Sequence, residues 1–318
     1  GNFKAAAESY LKALSYNALP EDITHGLYYT VTQLLIYVER YQEGIEYILK
    51  WFAKEEKPKA EAYILAATAY YYLENYPEVI SYTSRALPLI KTPPLNWYEL
   101  LLAGYYETED LDNAAIVLEN IVVKYPMRKK YWIQLAGIYQ RLGKDKKALA
   151  IYELAYSKDF LKKKQIMQLC KNYLYFEMPY KAALVLEKEM ATGRIDSTLE
   201  SLNMLVDAWI LAQESEKAES VFNEIINSYN DEKSRLRLGQ LHIENEKWEK
   251  AVDILNIELE SEDLTLISKI NLLLGIAQFN TENIAEARIS FTQALSDKST
   301  KEQAEWWLDH IKRKGEKT

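Results

Sequence analysis

The chain has one cysteine, Cys170, in 318 residues. An internal disulfide and a cysteine-built metal site are thereby excluded, and a reducing or an oxidising compartment suits the chain equally. Histidine is almost as scarce. His25, His242 and His310 fall in different parts of the chain, too separated to predict a shared metal site. Ten glycines and eight prolines are few for a loop-rich enzyme and fit a mostly helical chain with short turns. No glycine-rich phosphate loop follows a strand, and no strand pattern is present. No run of ~18 apolar residues can span a bilayer, and no signal peptide is visible. A positive balance is missing too. The net charge is −8, which disfavours non-specific binding to nucleic acid because too few cations face the phosphates. The densest basic spot, Lys162-Lys163-Lys164, reads as a solvated helix face or turn.

What the sequence does have is a small residue recurring at one phase. Ala6, Gly44, Val79, Ala115, Ala148, Ala182, Ala218, Ala251 and Ala287 are spaced by 38, 35, 36, 33, 34, 36, 33 and 36 residues. A period near 34 with two helices per unit is the mark of a helix-hairpin solenoid, in which each unit packs mainly on its neighbours. The clearest unit runs from Lys129 to about Lys162. Trp132, Leu135, Ala136 and Tyr139 lie at i, i+3, i+4 and i+7, one face of a helix. Leu142-Gly143-Lys144 breaks the run, and Ala148, Tyr152 and Ala155 form the inner face of a second helix. Ala136 and Ala148 are small so that the two helices can approach closely, and the tyrosines fill the wider gaps. The prolines at 20, 58, 93, 94 and 126 sit at joints, where they stop one helix and help to start the next. Longer links are expected around Tyr16–Thr24 and Thr192–Thr198.

The expected division is a partial repeat and linker over 1–24, eight hairpins over 25–298, and a capping helix with tail over 299–318. Phe3 to Leu14 reads as a second helix whose first helix is missing, which implies residues upstream on a longer parent. Ala304, Trp307, Leu308 and Ile311 stripe one side of the last helix, as a cap would.

Trp132-x-x-Leu135-Ala136-x-x-Tyr139 with Ala148, Tyr152 and Ala155 closely resembles the tetratricopeptide repeat, and the likeness covers essentially the whole chain. It implies an all-α, right-handed superhelical solenoid of tetratricopeptide-like helix hairpins. A narrower likeness lies in Ala69-Tyr-Tyr-Tyr-Leu-Glu-Asn-Tyr76, Tyr105-Tyr-Glu-Thr108, Leu149-Ala-Ile-Tyr-Glu-Leu-Ala-Tyr156 and Pro179-Tyr-Lys-Ala-Ala-Leu-Val-Leu-Glu-Lys188. These segments resemble a group of bacterial repeat proteins described as periplasmic components of the TonB system of Gram-negative bacteria. That resemblance implies an exported adaptor acting on TonB or an associated envelope protein, located in the periplasm, with the cytoplasm as the alternative.

In this repeat the first helix of each pair lines the concave side. The resemblance therefore puts Tyr29, Gln33 and Tyr37, then Ile64, Tyr71 and Tyr72, then Trp97 on a groove that takes a protein or peptide partner. Tyrosine and tryptophan suit such a groove because they combine area with a polar handle. Repeats that grip acidic chaperone tails carry a set of cations and asparagines. Here Lys233 and Arg237 occupy the third-helix positions, while Met167, Lys171 and Met204 stand where the rest of the set belongs. The clamp is incomplete, and one carboxylate is the most it can receive. No residue set points to catalysis, a cofactor or a metal, and Cys170 falls at a close-packed phase where a buried thiol fits. The expected function is a non-catalytic adaptor, with a structural scaffold for an envelope complex as the alternative. Replacing Ala148 by leucine is expected to overpack its helix crossing and to cost about 1–3 kcal/mol in denaturant unfolding.

Overall fold

The structure is a computed structural model that describes residues 2–258 and 260–315. The described residues are helical apart from short links and one 3-10 turn, Leu87–Leu89. They form two compact units that divide after Leu161. Unit 1 holds α1 (Phe3–Ser15), α2 (Glu21–Tyr37), α3 (Tyr41–Phe52), α4 (Ala60–Tyr72), α5 (Tyr76–Ala86), α6 (Leu95–Glu107), α7 (Leu111–Lys124), α8 (Lys129–Arg141) and α9 (Asp145–Ser157). Unit 2 holds α10 (Lys163–Tyr175), α11 (Pro179–Ala191), α12 (Leu199–Leu211), α13 (Ser215–Tyr229), α14 (Glu232–Glu244), α15 (Trp248–Leu255), α16 (Leu264–Asn280), α17 (Ile284–Ala294) and α18 (Lys298–Gly315). Within each unit, antiparallel pairs such as α2/α3 and α4/α5 stack on the next pair. This is the tetratricopeptide-like all-α architecture that the period implies.

Close approach at the small phase builds each pair. Val79, Ala148, Ala182, Ala218, Ala251 and Ala287 are completely buried. Each is the fourth residue of its second helix, its N–H bonded to the carbonyl of the residue just before that helix. In the third pair Ala114 takes this place, not Ala115, because the second helix starts from Asp110, whose side chain caps the N–H of Asn113 at 3.1 Å. Ala115 is buried beside it. The facing side of the crossing is equally tight. A Cβ on Gly239 would stand 2.5 Å from a methyl of Leu255, and one on Gly275 would stand 2.7 Å from the Phe291 ring. Neither contact leaves room for a methyl group.

The turns inside the pairs follow a rule that the sequence conceals. The second residue past the end of each first helix has a positive φ: Glu39, Glu74, Glu109, Gly143, Glu177, Gln213, Glu246 and Glu282, all between +55° and +65°. Each closes its helix with two backbone bonds. In the second pair the N–H of Glu74 meets the Tyr71 carbonyl at 3.0 Å and that of Asn75 meets the Tyr70 carbonyl at 3.0 Å. This is the Schellman closure, which normally takes glycine at the left-handed position. Here glycine occurs once and glutamate or glutamine otherwise, so most turns carry the Cβ strain that glycine avoids.

One of the two expected longer links differs from its expected bounds. Helix α2 begins at Glu21, with Pro20 before it and Glu21 and Asp22 in its first turn, so the link after α1 is shorter than Tyr16–Thr24. The fixed φ of proline and the acidic residues favour an early helix start. The link 192–198 is closed by side chains: Arg194 pairs with buried Glu189 at 3.1 Å, Tyr229 Oη donates to the Ser197 carbonyl at 2.7 Å, and Lys163 pairs with Asp196. Lys163 is therefore an engaged member of the basic run.

Side-chain bonds about one repeat apart also lock neighbouring pairs. Lys144 pairs with Asp112, and Lys250 with Glu219. In the first pairs rings do the same work. Phe3 packs on Tyr37 with centroids 4.3 Å apart, and Tyr41 stacks on Tyr72 at 4.5 Å. Glu74→Gly and Glu246→Gly are each expected to stabilise the chain by about 0.5–1 kcal/mol, the strain relieved exceeding the backbone entropy added. Gly143→Ala is expected to destabilise by a similar amount, all three read from thermal melts.

Candidate functional site

On the first-helix side of unit 1, α2 neighbours α4 and α4 neighbours α6, so these helices present one continuous surface. Equivalent positions run down it about 35 residues apart. Tyr29, Ile64 and Glu99 form one row, and Tyr37, Tyr72 and Glu107 another. Gln33 is exposed between the rows, Tyr37 and Tyr72 are 67% and 57% exposed, and Tyr71 is 38% exposed. Tyr71 meets Tyr72 edge-on at 5.7 Å and Tyr76 at 6.3 Å. With Phe3 and Tyr41 these rings make an aromatic strip along the turn end of the surface.

The rest of the expected set is placed differently. Tyr29 is half-buried against Trp51, centroids 5.1 Å apart. Burial first, and the Glu61 carboxylate second, push its phenol above the usual range. Ile64 is half-buried on the cluster of Ala60, Ala86 and Trp97. Trp97 itself is only 7% exposed. It fills the gap between α4, α5 and α6, which takes it out of any ligand surface. The sequence could not separate it from Tyr72, since both occupy first-helix positions and only the packed cluster distinguishes them.

Two glycines on this side have no packing explanation. Gly26 in α2 and Gly137 in α8 sit inside helices, and a Cβ on either would meet nothing within 4 Å. Glycine inside a helix costs about 1 kcal/mol relative to alanine. Beyond Tyr72 the surface becomes charged. Glu99 accepts from Lys130 Nζ at 2.9 Å and from Tyr131 Oη at 2.5 Å, and these bonds hold its carboxyl below the usual range. Exposed Glu107 and Arg141 follow.

Lys233 and Arg237 lie on α14 in unit 2, whereas the tyrosines belong to unit 1. Arg237 is already engaged. It pairs with Asp207, lies 3.4 Å from Asn203 Oδ1 and covers the Phe222 ring at 5.2 Å. The Asn203 and Asp207 partners, one repeat earlier, give this guanidinium a structural task. Lys233 is exposed and lines a shallow cavity with Asp231, Glu232 and Glu260, an acidic surround that disfavours a carboxylate ligand.

Among the described residues no group of three or more His, Cys, Asp or Glu side chains is placed to hold a metal ion. No described helix is long and apolar enough to cross a membrane. His242 is buried in its seam, and burial lowers its pKa against the opposing pull of Glu219. Cys170 is fully buried, and its thiol is pushed up to about 12, chiefly by burial and then by Glu189.

No protein-family model matches the sequence, and no curated protein matches it. Several solved structures are similar in fold. A tetratricopeptide repeat protein of Parabacteroides merdae shares 17% identity over 79% of this chain and 98% of its own, with a TM-score of 0.37. The C-terminal part of a TPR repeat-containing protein of Cytophaga hutchinsonii shares 14% over 87% and 97%, TM-score 0.37. YrrB, described as a TPR protein with an unusual peptide-binding site, shares 19% over 66% and 99%, TM-score 0.41. Likeness at this level assigns no function, and the hairpin architecture stands on the chain's own geometry.

The raised thiol pKa of Cys170 gives a direct expectation. A group that is neutral when protonated and has its folded pKa above its unfolded value favours the fold below the unfolded pKa. That contribution is lost as pH rises from about 9 towards 12. Native protein at pH 8 is therefore expected to react with a thiol reagent only at the rate of unfolding, and unfolded protein at once.

Proposed function

We propose that this chain is a non-catalytic protein-binding adaptor whose unit 1 holds a partner segment along the first-helix side of its four pairs. The observation that carries this reading is the coincidence on one surface of exposed tyrosines, at 37, 71 and 72, with the helix-interior glycines 26 and 137 that nothing in the chain requires. Rigid aromatic side chains supply contact area at low entropic cost, and a missing Cβ lets a partner approach the helix backbone closely. Gln33 provides an amide to orient the segment.

In the finer form of the proposal the partner is TonB or an associated envelope protein, and the chain works in the periplasm. Support for this comes from the segments 69–76, 105–108, 149–156 and 179–188 and their likeness to the TonB-associated repeat proteins. A structural scaffold is the second reading. It is favoured by exposed aliphatic residues on second helices, among them Leu49, Ile116, Leu154, Leu184 and Ile289.

Retention from a Gram-negative envelope extract separates these readings. Tyr37→Ala with Tyr72→Ala, both at exposed positions, is expected to reduce capture of the partner about tenfold or more, with Leu154→Ser and Leu184→Ser having little effect. The reverse pattern overturns the groove in favour of the scaffold. Absence of TonB-complex proteins from the captured set overturns the finer form alone.

A further inference from the structure

The last helix carries a second recognition feature, in unit 2 and unrelated to the tyrosine surface. A cavity of about 530 Å3 opens between α16 and α18, lined by Ile276, Glu302, Gln303, Trp306 and Trp307. Helical spacing assembles it: Glu302 and Trp306 are one turn apart on one face, and Gln303 and Trp307 on the next. The two indoles stand nearly at right angles, 87°, with centroids 5.0 Å apart. Each has a neighbour stacked on it. His310 lies parallel to Trp306 at 5.2 Å, and Phe291 lies parallel to Trp307 at 5.5 Å. Trp307 is anchored in the core formed by Leu272, Ala287, Phe291 and Ala304, whereas Trp306 is 59% exposed.

Burial does not account for Trp306. A large apolar ring left in solvent, rigidly braced beside a second ring at the rim of a cavity, is a recognition feature. The charge around it selects the ligand. Of the cations on α18, Lys301 pairs with Glu305, Arg313 pairs with Asp309 and Lys314 lies over the Phe279 ring, while exposed Lys298 stands one turn before Glu302 without an ion pair to it among the described residues. Glu302 lines the cavity with no ion-pair partner among the described residues. Indole faces attract cations through the ring quadrupole, most strongly when the cation is weakly hydrated.

We propose that this cavity binds a quaternary ammonium head group, held against Trp306 and Trp307 with Glu302 as its counter-charge. A primary ammonium needs several hydrogen-bond acceptors to replace its water, and here only Glu302 and Gln303 offer any. A methylated ammonium needs none and covers more of the ring surface.

Titration of the full chain with choline, followed by the indole N–H signals in NMR, tests the proposal. Saturable shifts are expected at the two signals assigned with Trp306→Phe and Trp307→Phe. The neutral isostere 3,3-dimethyl-1-butanol is expected to bind at least about tenfold more weakly, and Trp306→Ala to weaken choline by about tenfold with an unchanged melting curve. Glu302→Gln, at an exposed position, is expected to weaken it about threefold and carries the comparison should Trp306→Ala fail to fold. Equal affinity for the neutral isostere, tighter binding of an acetyl-lysine amide, or no saturable shift with choline overturns it.

Discussion

Everything in this chain depends on how closely the two helices of a pair can approach. At Gly239 and Gly275 a single added carbon would lie 2.5 and 2.7 Å from a neighbouring side chain, well short of van der Waals contact distance, and the matching second-helix positions are alanine, completely buried. Contacts this short fix the crossing of the last two pairs and leave aromatic side chains to fill the wider space beside it. Tyr152, Trp209, Phe222 and Phe291 are buried in this way. The same constraint divides each helix into a packed face and a free one, and the free faces are the only surface on which recognition can be built.

The turns keep the constraint in register. A left-handed residue lies five positions before the small residue in all eight pairs, from Glu39 and Gly44 to Glu282 and Ala287, once Ala114 is taken as the small residue of the third. The helix closure sets where the second helix begins, and that start sets which residue reaches the crossing. Glutamate is tolerated because the side chain points into solvent and the two closing hydrogen bonds, together with the packed pair below, over-determine the backbone. Even where the second helix stops early, at Leu255 in α15, the phase at Ala251 survives, and Glu232 accepts from the N–H groups of Glu260 and Ser261 to tie the following link to α14.

With register fixed, equivalent positions in neighbouring pairs face one another, and their chemistry changes along the chain. At the turn end of unit 1 rings meet rings, as in Tyr41 on Tyr72. Elsewhere the inter-pair link is ionic, Asp112 to Lys144 or Asp207 to Arg237. Ion pairs on such exposed surfaces add little stability, but they occupy cations that a carboxylate ligand would need. Exposed aromatic surface is thus what remains available, on the first helices of unit 1 and on α18.

The period, the helical character, the pairing of helices and the burial of Cys170 were legible in the sequence, because each follows from residues within one pair and their spacing along a helix. The family resemblance put Tyr37, Gln33, Tyr71 and Tyr72 on the first-helix face, where they are exposed. The rest depended on neighbours about thirty residues away. Trp97 is buried because Ala60 on α4 leaves a gap of its size, and Arg237 is engaged because Asp207 lies on the preceding first helix; the shift to Ala114 in the third pair is local, set by the Asp110 cap. Spacing along the chain names the face on which a side chain lies, but only the stacked neighbours decide whether that face is covered.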